Sequence, residues 1–182
     1  MKHLGTKEIE TPRLCLRRFT LDDAQAMYVN WARDEAVTQY LTWPPHSSPE
    51  VSRMVLQSWT EGYGKTDNYH WAIVLKELAQ PIGSIGVVSH DDRVEKAEIG
   101  YCIGRRWWHM GIMPEALNAV INYLFCEVGV RRIEARHDIR NPNSGAVMRK
   151  CGMKYEGTQR QSDWNNQGIC DASWYAVLAS ER

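Results

Sequence analysis

Alternation of apolar and polar residues dominates the middle of the chain. Trp71, Ile73 and Leu75 alternate over residues 69–76, and runs 82–89 and 96–103 follow, with turns at Ala79-Gln80-Pro81 and Asp91-Asp92-Arg93. A period of two with turn residues between the runs predicts an antiparallel meander of three strands. Gly83 and Gly86 mark a twist or bulge in the second strand. The period then changes. Leu117, Val120, Ile121, Leu124 and Phe125 recur at helical spacing over residues 114–128, and Gly129 stops the run. Residues 132–137 read as a strand again. A strand, helix, strand sequence makes a right-handed crossover, so this strand is expected to lie parallel to residues 96–103.

The flanks complete the picture. Residues 11–19 read as a strand, and Thr20 or Asp22 caps a helix with Ala24, Met27, Tyr28 and Trp31 on one face. Residues 34–40 form a short further turn. Ser48 and Pro49 open another helix, with Val51, Met54, Val55 and Trp59 at helical spacing and Gly62-Tyr63-Gly64 at its end. Trp43 and Trp59 are expected either to wall an acceptor pocket or to sit in a packed connector. Asn141-Pro142-Asn143-Ser144 opens a helix that Gly152 closes, and residues 155–160 and 173–178 form a last hairpin joined by a polar loop with Trp164. No repeat or linker interrupts residues 1–182, which predicts a single domain. The expected fold class is mixed α/β (α+β): a mostly antiparallel sheet of six to seven strands flanked by helices, with one parallel pair.

Charge narrows the function. Lys plus Arg and Asp plus Glu number 22 each, for a formal net charge of zero. That argues against a general binder of nucleic acid or membrane surfaces. The five Cys (15, 102, 126, 151 and 170) show no C-x-x-C spacing and read as reduced thiols, with Cys102, Cys126 and Cys151 expected in the core. The six His lie at no metal-ligand spacing, so no metal is expected. Neither a signal peptide nor a membrane span is indicated, and the expected location is cytoplasmic.

The chemistry concentrates between Glu98 and Phe125. A strand there feeds a helix through the loop Arg105-Arg106-Trp107-Trp108-His109-Met110-Gly111-Ile112-Met113-Pro114. Free N–H groups and the helix dipole make such a junction an anion site. Gly111 lets backbone approach a ligand, and Arg105 and Arg106 can reach phosphate oxygens. There is neither a G-x-G-x-x-G fingerprint nor a P-loop G-K-S/T.

This stretch resembles acetyl-CoA-binding motif A of the GNAT superfamily of N-acetyltransferases, a strand with an acidic residue leading into a Q/R-x-x-G-x-G/A loop. Asn141-Pro142-Asn143-Ser144, then Lys150-Cys151-Gly152-Met153 and Tyr155-Glu156-Gly157, resemble the second family signature. Glu10-Thr11-Pro12-Arg13-Leu14-Cys15-Leu16-Arg17 resembles the first strand of the RimJ/RimL-type branch, which acetylates ribosomal-protein N-termini. Trp108 stands at the Q/R position and Met113 at the last G/A. Backbone donation survives both changes. Met148 stands where many members carry a Tyr that protonates the leaving thiolate.

The resemblance implies acetyl-CoA as co-substrate, an amine acceptor, and a monomer or homodimer. It implies cofactor contacts from Tyr101, Cys102 and Ile103 at the strand end. Further contacts come from Arg105, Arg106, Trp108, His109, Met110, Gly111, Ile112 and Met113 in the loop, and from Asn141 and Ser144. A backbone N–H among residues 101–103 polarises the thioester carbonyl. Ser144 stabilises the departing sulfur, Asn141 lies near the thioester, and Glu98 is the expected general base, if necessary through water. His109, His137 and Asp138 are weaker candidates. The expected acceptor is a peptide α-amino group. Small-molecule N-acetylation (aminoglycoside, polyamine or amino acid) and a non-catalytic acyl-CoA-binding module are the alternatives.

Overall fold

A computed structural model describes residues 1–182. One eight-stranded sheet forms the frame, in the order β1-β2-β3-β4-β5-β6-β8-β7. The strands are β1 (Ile9–Glu10), β2 (Leu14–Arg17), β3 (His70–Leu75), β4 (Gln80–Asp91), β5 (Lys96–Ile103), β6 (Arg132–Asp138), β7 (Lys154–Asn165) and β8 (Gly168–Leu178). The strand beyond the expected six to seven is β1, whose two residues pair with Leu16 and Cys15 and are too short to leave a periodic signal.

Every neighbouring pair is antiparallel except β5 and β6. That parallel register holds for only three positions, Lys96 with Arg132, Ala97 with Ile133 and Glu98 with Glu134. Past Glu98 the two strands part, and residues 99–103 continue along β4 alone. A wedge therefore opens in the sheet at the loop end of β5.

The helices are α1 (Ala24–Met27), α2 (Glu35–Thr38), α3 (Pro49–Gly62), α4 (Ile112–Tyr123) and α5 (Pro142–Lys150). The crossover helix starts two residues earlier than its apolar stripe suggests, because Gly111 supplies the cap and Pro114 needs no donor in the first turn. Its last turn, residues 124–128, widens to π geometry. Leu117, Val120, Ile121 and Leu124 are fully buried, each worth about 1.5–3 kcal/mol of transfer free energy. They pack with Ala97, Ile99, Ile133 and Ala135 of the sheet in the larger core. Cys151 joins this core, whereas Cys126 is exposed on the solvent side of the π turn, contrary to expectation.

The opposite sheet face carries a second, smaller core. Phe19, Met27, Trp31, Leu56 and Ala72 form it. In α3 the buried positions are Ser52 and Leu56, and Met54 is exposed, so the helix faces the sheet one residue round from the expected stripe. Trp59 packs edge-on against His70 with ring centroids 4.0 Å apart and tilted against Phe19 at 5.2 Å. Trp43 packs on His46 at 5.2 Å. The two tryptophans are part of a packed connector.

Candidate active site

The wedge between β5 and β6 continues into a cleft lined by the end of β5, the loop before α4 and the first turns of α5. Gly104 N–H donates to Ile82 O at 2.9 Å, toward β4. Successive residues alternate in direction, so the polar groups of Tyr101 and Ile103 point the other way, into the wedge. Trp108 closes the loop by donating its indole N–H to Ile103 O at 2.9 Å. The residue at the Q/R position thus acts as a structural tie.

Gly111 caps α4 with φ 73°, a left-handed conformation that glycine adopts without strain. The first intrahelical bond here is Glu115 N–H to Gly111 O at 3.3 Å. The amides of Ile112 and Met113 precede it and have no helical acceptor. The loop is pinned from the far side. Glu115 accepts from Thr11 Oγ1 at 2.6 Å, and from Arg13 through its backbone N at 3.0 Å and its Nε at 2.6 Å. The same guanidinium donates to Met110 O at 2.9 Å. Sequence reading missed this clamp, since its partners are about a hundred residues apart and carry no motif.

Ser144 lies in the first turn of α5. Tyr101 Oη donates to Ser144 O at 3.0 Å and stands 3.1 Å from Ser144 Oγ. Burial pushes the Tyr101 phenol far up, so it stays protonated. Asn141 caps the helix without a side-chain cap bond, and it lines the cleft. Beneath Ser144, a Cβ on Gly145 would come 2.5 Å from His137 Nε2, so only glycine lets the helix lie this close to β6. His137 Nδ1 bonds the Asp138 carbonyl at 2.8 Å, and burial lowers the ring's pKa. Burial alone would raise the Asp138 carboxyl. The backbone N–H and guanidinium of Arg140 and the side chain of Asn165 donate to it, outweigh burial and hold the group ionised. His137 and Asp138 are therefore supports of the site.

Of the expected site residues, Tyr101, Cys102, Ile103, Trp108, His109, Gly111, Ile112, Met113, Asn141 and Ser144 line the cleft together. Arg105, Arg106 and Met110 do not. Arg105 pairs with Asp34 at 3.0 Å, Arg106 stacks over Trp107 at 5.7 Å, and Met110 is exposed on the outer side of the loop. Cys102 bonds Ser84 Oγ at 3.4 Å, and burial raises its thiol pKa, so it is inert.

Glu98 also lies outside the lining. Its carboxylate accepts from Ser89 Oγ at 3.0 Å and pairs with Arg136, which also binds Asp163 at 2.6 Å. Both carboxylate oxygens are thus engaged, and neither faces the cleft. The expected role assumed a free strand carboxylate, and the partner from β6 was invisible in the local sequence.

The wall facing α5 is Val37, Tyr40 and Leu41, which sequence reading did not single out. The tip of the β7–β8 hairpin holds it. Asn166 Nδ2 donates to Thr38 O and Trp43 O, both at 2.8 Å, and Asn166 N–H donates to Leu41 O at 3.1 Å.

Residues 13–154 match the family model described as Acetyltransferase (GNAT) domain. The chain belongs to the GNAT acetyltransferase family. It is 31% identical to the uncharacterized N-acetyltransferase YoaA of Bacillus subtilis, over 93% of this chain and 96% of that one. It is 32% identical to the ribosomal-protein-serine acetyltransferase of Escherichia coli, over 52% of this chain and 54% of that one. Among solved structures it resembles RimL, the ribosomal L7/L12 alpha-N-protein acetyltransferase, in complex with coenzyme A. The TM-score is 0.84 at 22% identity, with 94% of this chain and 98% of that chain covered. GNAT membership makes the chain an N-acetyltransferase with the mixed sheet and single parallel pair described above. No helix is long and apolar enough to cross a membrane.

Proposed function

We propose that the chain transfers an acetyl group from acetyl-CoA to a peptide or protein α-amino group, by direct attack within a ternary complex. The residues present fit the co-substrate. The free amides of Ile112 and Met113 and the dipole of α4 suit a pyrophosphate. The wedge offers the Tyr101 and Ile103 backbone to the pantetheine and thioester, where an N–H polarises the carbonyl. The neutral amine nitrogen attacks that carbon, the C–S bond breaks with its electron pair on sulfur, the Ser144 hydroxyl gives a hydrogen bond to the departing thiolate, and the proton lost by the nitrogen passes to solvent. Tyr101 orients Ser144 for this step and stays protonated itself.

The observation that carries the choice of acceptor is the engagement of Glu98 by Arg136. A cleft with no unpaired carboxylate in its lining suits an amine that is already partly neutral. At pH 7.5 an α-amino group with a pKa of about 7.8 is about one-third neutral, whereas a lysine or polyamine amine is only about one-thousandth neutral. Moreover, no carboxylate lines the cleft, and polycationic acceptors such as aminoglycosides would want several. The likeness to a ribosomal-protein-serine acetyltransferase supports the same acceptor class.

The test is release of free CoA thiol across a panel of peptides with free or blocked N-termini, polyamines and aminoglycosides. Turnover should require a free peptide α-amino group. Turnover confined to polyamines or aminoglycosides would reject this acceptor. Acetyl-CoA binding without thiol release for any amine would reject catalysis.

A further inference from the structure

Far from the cleft, at the start of β5, three metal-ligating side chains converge from two distant parts of the chain. His3 Nε2 lies 3.1 Å from Asp92 Oδ2, and His90 Nδ1 lies 3.0 Å from Asp92 Oδ1. One ligand atom from each of the three lies within 4.8 Å of the others. We propose that His3, His90 and Asp92 form a binding site for a divalent, imidazole-preferring cation of the zinc class.

The geometry favours an ion over a chance contact. With Zn–N and Zn–O bonds of about 2.1 Å, ligand atoms around a tetrahedral zinc stand about 3.4 Å apart. Measured to the one oxygen Asp92 Oδ1, the two imidazole nitrogens stand at 3.2 Å and 3.0 Å, near that edge length, so a cation could take the place of the shared protons. Two imidazoles and a carboxylate are the donor set that zinc, cobalt and nickel accept. Solvent supplies the fourth position, because Asp92 is half exposed.

Support from behind is also in place. His3 Nδ1 lies 3.0 Å from the hydroxyl of Tyr69, which is itself buried and accepts the Leu4 N–H at 3.3 Å. With the cation on Nε2, the Nδ1–H donates to that phenol. This is how a ligating histidine is oriented and its tautomer fixed. The sequence showed no metal-ligand spacing because His3 and Asp92 are 89 residues apart and only the fold joins them.

A cation here would staple the segment before β1 to the β4–β5 turn. Closing so long a loop stabilises the folded chain, and the site lies at the opposite end of β5 from the acetyl-transfer loop. Binding is therefore expected to change stability and leave acetyl-CoA affinity unchanged.

The test uses the untagged, chelator-stripped chain. Titration with Co²⁺ should give visible absorption bands of a tetrahedral centre that saturate at about one equivalent. Zn²⁺ at about a hundred times its dissociation constant should raise the melting temperature by about 5–10 °C. Both effects should vanish in His90→Gln and in Asp92→Asn, while the acetyl-CoA-induced rise in melting temperature persists and shows the variants folded. Absence of saturable Co²⁺ binding overturns the site. So do bands or a Zn²⁺ shift that survive in either folded variant, since exposed histidines such as His109 would then be the ligands.

Discussion

Tyr101 grips Ser144 twice, through the backbone carbonyl at 3.0 Å and the side-chain oxygen at 3.1 Å. One phenol thereby fixes both the position of the α5 N-terminus and the place of the Ser144 side-chain oxygen. Family signatures do not contain this contact, because Tyr101 lies on the parting strand and Ser144 lies 43 residues on.

Ser144→Ala is expected to lower kcat by roughly 10–100-fold and leave acetyl-CoA affinity within about twofold. Tyr101→Phe keeps the ring and loses both contacts, so it should lower kcat by about tenfold in the same manner. Steady-state thiol release and calorimetric titration separate the two quantities. A fall in affinity without loss of kcat would make the pair a binding element.

The pH profile addresses Glu98. With the carboxylate committed to Arg136 and Ser89, kcat/KM should rise with pH along the acceptor's own ionisation, near pH 7.7–8.0 for an α-amino group. Glu98→Gln should leave the position of that limb unchanged, and Asp163 still engages Arg136 in the variant. Loss of the limb in Glu98→Gln would restore Glu98 as the general base.

Gly111→Ala tests the anion cradle. A Cβ there meets only Arg13 at 3.6 Å, so the space is adequate and the φ of 73° is the obstacle. The left-handed conformation costs a non-glycine residue about 1–2 kcal/mol. The loop should relax and weaken acetyl-CoA binding by about tenfold, and the asparagine variant should lose less. Equal affinity in all three proteins would show that the cradle does not depend on this conformation.

Asn166→Ala tests whether the wall of Val37, Tyr40 and Leu41 takes part in acceptor binding. It removes two hydrogen bonds to the segment carrying Tyr40 and Leu41 and touches nothing on the α4 side of the cleft. The KM for a peptide acceptor should rise by about fivefold, with acetyl-CoA affinity held. An unchanged KM would separate the wall from acceptor binding.

His70 gives a stability prediction with a defined sign. Burial lowers its pKa from 6.5 to about 4. Its ring packs edge-on against Trp59 and makes no side-chain hydrogen bond. Between those two values the unfolded chain binds a proton that the folded chain refuses. Its contribution is complete above pH 6.5 and is lost as pH falls toward 4. His70→Phe should therefore reduce the loss of stability between pH 7.5 and pH 5 by about 2 kcal/mol, read from urea unfolding at each pH.

Much of the frame was legible because periodicity reports burial. The run 96–103 coincides with β5, and the chirality of a strand, helix, strand unit gave the parallel pair. The loop was legible through a glycine at a helix start and Ser144 through the resemblance to the family signatures, and the fold brings both to one cleft. What stayed hidden was cross-chain pairing. Glu98 looked free until Arg136 arrived from β6, and Arg105 looked like a phosphate ligand until Asp34 claimed it. The tryptophans at 43 and 59 looked like pocket walls for want of any sign that His46 and His70 would pack on them.

The hydrogen bonds of Asn166 have a consequence for assembly. They span 123 and 128 residues, so the wall of Val37, Tyr40 and Leu41 is fastened only after the final hairpin has been made. The Arg13–Glu115 clamp on the loop before α4 needs nothing later than α4 itself. During synthesis the loop before α4 can thus be braced while the wall of Val37, Tyr40 and Leu41 is still loose. The β7–β8 hairpin, which follows the loop in the chain, sets the wall of Val37, Tyr40 and Leu41.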